Sequence, residues 1–122
     1  RDAQESRGLG DVYKRQTLGE NIADHGGLRI AYTALHNTFD GVEPAPIDGF
    51  TADQRFYLAY AALWAGNIRD AEILRLTKID PHSLGRWRVN AALRNMETFF
   101  KAFDIKEGDA MYMAPEDRVI IW

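Results

Sequence analysis

Glu20-Asn-Ile-Ala-Asp24 sets two carboxylates four residues apart, one turn along the same helical face. Near a helix N-terminus such a pair can simply be a solvated or capping acidic turn, favoured by the helix dipole. It can also supply a metal ligand. Zinc hydrolases of the two-histidine, one-glutamate type take three protein ligands and leave a fourth position to a water whose pKa falls to about 7. Their two histidines lie one helical turn apart. Here the histidines are His25, His36 and His82, so the sequence holds no HExxH and Glu20 alone makes no site. A second cluster, Asp80-Pro-His82 followed by Arg88, gathers an acid, an imidazole and a guanidinium in one stretch broken by Pro81 and Gly85. Asp80 can accept an imidazole N–H and favour the charged ring, His82 can then donate to developing negative oxygen, and Arg88 can make forked contacts to a carbonyl or carboxylate. The plain alternative is a loop pinned by surface ion pairs. His25 and His36 read as helix-surface residues and are assigned no role.

The elements that would position these groups are mainly helical. From Glu20 to Phe39 the apolar residues recur at three- and four-residue steps, interrupted by Gly26 and Gly27, where a packing partner or a bend should want small residues. Residues 40–49, DGVEPAPIDG, specify a loop. Thr51-Ala-Asp-Gln54 fits a capping box and starts a second helix. Its continuation FYLAYAALW is apolar on every side, which predicts enclosure by protein on all faces, more than a chain of this size can provide alone. A short amphipathic stretch over 69–77 leads into a loop over 78–88. Val89, Leu93, Met96, Phe99, Phe100 and Phe103 return to helical spacing, and residues 108–122 read as an extended tail.

Composition excludes several classes of function. With 122 residues the chain has room for one domain at most, and its net charge of −3 without a basic cluster argues against nucleic acid as a partner. No apolar run is long enough to span a membrane, so no membrane contact is expected from this segment. The absence of cysteine excludes a disulfide framework and a thiolate metal site. Residues 1–16 are polar and lack an apolar period; they read as a non-native or linker tail, leaving 17–122 as the folded part.

Taken together, GENIADHGGLRIAY, IDGFTADQRFYLAYAALWAGNIR and DPHSLGRWRVNAALRNMETFFKAF, with a tail closing on Trp122, resemble the C-terminal end of the neprilysin family of zinc metallopeptidases in order, content and spacing. The resemblance implies the helical C-terminal part of a thermolysin-like (gluzincin) catalytic domain and a zinc-dependent endopeptidase acting on small peptides. Glu20 would be the third ligand of one Zn2+, with two histidines expected upstream, and Asp24 would hold a ligating histidine in its tautomer and orientation. Of the other residues the resemblance assigns, His82 would stabilise the oxyanion of the tetrahedral intermediate, with Asp80 supporting its charge. Arg88 would contact a carbonyl of the peptide substrate, and Leu63 and Trp64 would line the apolar pocket for the residue after the scissile bond. Leu84 stands where family members often carry proline, which leaves the loop less rigid. The missing cysteines look more like a bacterial member, in the cell envelope, periplasm or medium. Without the HExxH helix this segment is expected to be inactive alone. The rival reading is a non-catalytic peptide-binding or interaction module on the same scaffold.

Overall fold

A computed structural model describes residues 21–79 and 85–120. They form five α-helices and no named strand among the described residues, so the mainly helical expectation holds. Helix α1 runs over residues 21–37 without a break at Gly26 or Gly27; Gly26 is buried, whereas a Cβ on Gly27 would meet nothing within 4 Å. The buried Gly26 fits the packing alternative, whereas Gly27 leaves open space beside the helix. The loop after α1 is punctuated by two Asp-Gly pairs, Asp40-Gly41 and Asp48-Gly49, all four residues at positive φ. That conformation is the one a two-residue primed turn demands, and the second pair closes the short Ile47–Phe50 bridge.

Helix α2, Ala52–Leu63, opens with the expected capping box: Gln54 N–H donates to Thr51 Oγ1, and Thr51 N–H donates to Gln54 Oε1. The same Gln54 side chain donates to the Ala102 carbonyl, tying the start of α2 to the fifth helix. Tyr57, only 1% exposed, centres the core, with Leu28 from α1 and Val89, Leu93, Met96, Phe99 and Phe100 around it. Within the described residues α2 is not enclosed. Leu58 and Leu63 remain exposed, so the described residues do not supply the apolar surround predicted for this helix.

The second half departs from the sequence expectation in four places. Helix α3, Asp70–Ile79, runs two residues beyond the predicted stretch, steadied by a forked Arg75–Glu72 contact. Helix α4, Gly85–Leu93, begins inside what reads as loop, so Arg88 is carried on a helix and not on a flexible connection. The apolar run 89–103 is also two helices rather than one, since a turn at residues 94–96 separates α4 from α5, Glu97–Phe103. The cause at the start of α4 is packing: a Cβ on Gly85 would lie 2.7 Å from the Trp64 carbonyl oxygen, so only glycine lets the end of α2 approach this closely. Nor is residue stretch 108–120 an extended tail. It contains turns and a 3-10 turn, Pro115–Asp117, and is pinned by Arg118, which donates to the Met113 carbonyl and stacks on Phe100, and by Val119 N–H donating to Asn95. Among the described residues no helix is long and apolar enough to cross a membrane.

Candidate functional site

Three helices converge on one guanidinium. Arg88, one turn into α4, donates from Nε to Asp24 Oδ2 and from Nη2 to Asp24 Oδ1, both at 2.7 Å. The two side chains are 64 residues apart in sequence, and retain only 13% and 15% exposure. Two parallel charge-assisted bonds fix the plane of the guanidinium as well as its position. Its face is set from α2, where the Trp64 ring lies 3.8 Å from Arg88 Cζ. Gly85 permits the close approach that brings α4 under Trp64.

Tyr60 on α2 borders the same place. Its hydroxyl oxygen is buried and has no hydrogen-bond partner. Burial, reinforced by the Asp24 carboxylate, pushes the phenol above its ordinary value, with Arg88 and the Trp64 side chain opposing. Between α1 and α2 an apolar groove of about 460 Å³ opens, floored by Ala23, Gly27 and Ala31 and walled by Tyr60 and Leu63, with Asp24 at its edge. This is the space left by Gly27. A second cavity, of about 550 Å³, lies between Trp64, Ile68, Gly85 and Trp87.

Of the residues singled out from the sequence, Asp24, Arg88, Leu63 and Trp64 fall on this site. Leu63 borders the α1–α2 groove, whereas Trp64 borders the second cavity and supports Arg88, so the two face different spaces. Glu20, Asp80 and His82 lie outside the described residues. The direct Asp24–Arg88 pairing was not foreseen. No periodicity links positions 64 apart, and the pair could be found only by knowing that α1 and α4 are neighbours.

Two histidines assigned no role prove to be structural rather than free on a helix surface. His25 is 5% exposed, and desolvation, with the Arg29 charge second, holds its pKa below the ordinary 6.5. His36 Nε2 lies 2.6 Å from Asp53 Oδ1, while Tyr32 donates to Asp53 Oδ2, so one carboxylate at the start of α2 clamps the C-terminal half of α1.

No three His, Cys, Asp or Glu side chains among the described residues converge to hold a metal. Asp24 carries both oxygens on Arg88, which suits a carboxylate that orients a neighbour through its remaining lone pairs better than one that ligates. The donor chemistry at Asp24 is therefore compatible with a zinc centre whose ligands lie outside the described residues.

The helical architecture and this arrangement fit part of a gluzincin-type metallopeptidase domain. The sequence matches Peptidase family M13 over residues 2–119, and the chain belongs to that family, the neprilysins and their relatives. It is 37% identical over 112 residues to Neprilysin-3 of Drosophila melanogaster and 38% identical over 109 residues to human Neprilysin. The first alignment covers 88% of this chain and 14% of that relative, the second 87% and 14%. Among solved structures, a zinc metalloprotease of Mycobacterium tuberculosis in its open state superposes with a TM-score of 0.85 at 42% identity, over 88% of this chain and 17% of that one. The chain thus spans about one seventh of the length of the curated relatives it matches.

Proposed function

We propose that the longer protein carrying this chain is a zinc-dependent oligopeptidase that hydrolyses small peptides, with an apolar residue favoured after the cut. The observation that carries this reading is the guanidinium of Arg88, locked in plane by Asp24 four residues after Glu20, in a chain that belongs to a family of metallopeptidases. Glu20 would hold the ion, together with two histidines expected upstream. Zinc, when bound, supplies a Lewis acid and a water acidic enough to attack a carbonyl near neutral pH.

The residues of this chain would then divide the remaining work. Asp24 accepts an N–H from a ligating imidazole while it holds Arg88, so one carboxylate couples metal geometry to substrate geometry. Arg88 donates to a backbone carbonyl of the peptide and fixes its register. Leu63 contributes apolar wall for the side chain after the cut. His82, supported by Asp80, donates to the oxygen that becomes negative in the tetrahedral intermediate. The lack of cysteine supports a bacterial member, of the cell envelope, periplasm or medium, and peptides are the only partner class proposed.

The test is His82→Gln in the full-length protein, assayed with an internally quenched peptide carrying Leu or Phe after the cut. An oxyanion donor acts in the transition state, so kcat should fall by about 10²–10³ with little change in KM. An unchanged kcat would remove His82 from the mechanism. Full-length protein that binds zinc in no assay and cleaves nothing would leave the non-catalytic binding module as the better account.

A further inference from the structure

His25 belongs to the packing of α1, yet among the described residues nothing pairs with it. It is 5% exposed and makes no hydrogen bond to a described residue, whereas the large majority of buried polar side chains find a partner. Its ring borders a cavity of about 210 Å³ between α1, α5 and the C-terminal stretch, where Arg29, Asn95, Glu97, Thr98 and Ile120 also line the wall. Arg29 follows His25 by one helical turn and is exposed. Its guanidinium forms no ion pair with a described residue. That charge reaches His25, where it is the second cause, after burial, of the lowered pKa. The cavity therefore carries a positive charge that the described residues leave unanswered.

A third donor comes from α5. Thr98 and Tyr57 share one hydrogen bond in which either hydroxyl can donate, so of their two protons one is left over. Were Thr98 the donor, the spare proton would sit on Tyr57, which is 1% exposed. With Tyr57 as donor the spare proton belongs to Thr98, which borders the cavity, and nothing is stranded in the core. The other polar groups nearby are engaged. Asn95 donates to the Ala91 carbonyl and accepts from Val119 N–H, Tyr32 donates to Asp53, and Glu97 pairs with Lys101 at 3.2 Å. Across a neighbouring cavity that His25 also borders, Arg88 is held by Asp24. We propose that the cavity beside His25 is a binding site for one small oxyanion, a carboxylate or a phosphate, held by Arg29, His25 and Thr98. Arg29 supplies charge, while His25 and Thr98 supply direction. A bound anion offsets the Arg29 charge that helps to keep His25 neutral, so binding takes up a proton as pH falls. Glu97 is the one carboxylate on this wall and works against the anion, which limits affinity. The same chemistry can come from a free anion or from an acidic side chain elsewhere in the longer protein. None of this depends on the peptidase reading.

The experiment uses sulfate and its heavier analogue selenate, whose charge does not change near neutral pH, on the full-length protein. Crystals soaked in selenate should show its anomalous scattering between Arg29, His25 and Thr98. In solution, calorimetry should give a sulfate Kd about three- to tenfold tighter at about pH 5.5 than at about pH 7.5. Arg29→Met changes an exposed position and leaves the core alone, so it should weaken sulfate about tenfold or more without a loss of folding. His25→Gln keeps a donor that cannot titrate, so its Kd should no longer vary with pH. If unsoaked crystals instead show an Asp or Glu side chain from elsewhere in the protein bonded to Arg29 and His25, the proposal stands with that residue as the anion. Sulfate should then bind only once that acid is replaced by its amide. Selenate in the crystal without sulfate binding in solution would be an adventitious ion only and would overturn the proposal. A cavity filled by water alone or by an apolar side chain overturns it too, as does equal sulfate affinity in the parent and Arg29→Met.

Discussion

Removing Asp24 should strand Arg88, and the structure allows the loss to be sized. Breaking a buried ion pair by deleting one partner costs about 3–5 kcal/mol, most of it the desolvation of the charge left behind. Here both side chains keep a little exposure, 15% and 13%, and Arg88 keeps the Trp64 ring, so the lower end applies: about 3 kcal/mol for Asp24→Ala. Arg88→Met keeps the aliphatic stem over Trp64 and strands the carboxylate instead, at about 2–3 kcal/mol. The double variant should cost little more than either single change, leaving a coupling of about 2 kcal/mol. Urea unfolding of the chain followed by tryptophan fluorescence reads this directly. With an m-value of about 1.5 kcal/mol/M, a loss of 3 kcal/mol moves the midpoint by about 2 M. Single changes that cost less than about 1 kcal/mol, or costs that simply add, would show that the pair is an exposed contact and that Arg88 is not held by Asp24.

Gly85→Ala should destabilise the chain by about 1–3 kcal/mol, because the new methyl meets the Trp64 carbonyl at 2.7 Å and backbone must move; a melting temperature equal to the parent's would disprove the close approach. A buried histidine with a lowered pKa binds fewer protons folded than unfolded, so stability should fall as pH drops below about 6.5 and level off below the folded value. His25→Gln should flatten that acid limb in unfolding curves taken from pH 7 to 5; an unaltered slope would move the effect to another group. Replacing the pair together, Asp24→Leu with Arg88→Met, should leave stability near or above that of the parent while abolishing any peptide affinity, measured by unfolding and calorimetry on the full-length protein. Retained affinity would refute the role given to Arg88.

The helices that carry a strong local signal are legible in the sequence. Thr51 and Gln54 announce α2 because a capping box satisfies its orphan N–H groups whatever surrounds it, and the Asp-Gly pairs announce their turns because few other residues tolerate positive φ. Gly85 misleads for the opposite reason. Its local meaning is a break, but its tertiary meaning is contact with the Trp64 carbonyl, and packing overrides propensity there. The run from Val89 to Phe103 shows a similar limit, since hydrophobic spacing continues across the turn at 94–96 while the backbone does not. His25 and His36 were legible only as isolated polar residues on a helical pattern, because burial beside Arg29 and pairing with Asp53 both depend on neighbours supplied by the fold. At the site, Asp24 and Arg88 are each identifiable by the resemblance of their motifs, whereas their bond to one another belongs to the three-dimensional arrangement alone.

That arrangement explains why an ion pair is kept where apolar residues would pack as well. Stability does not require it, since desolvating two charges offsets most of their attraction. Direction does. The Asp24 fork fixes the guanidinium in its plane, the Trp64 ring fixes the face of that plane, and Gly85 fixes how far α4 stands from α2, so three helices each remove one freedom from a side chain that otherwise has several. Lysine could accept the charge of Asp24 but neither the fork nor the flat stacking, and would leave the donor's direction undetermined. A side chain whose direction is set before the peptide arrives loses less entropy on binding it. The same fork leaves room for function, since Asp24 takes only Nε–H and one Nη2–H of the five N–H donors of Arg88, and the pair can stay formed while the guanidinium donates to a substrate.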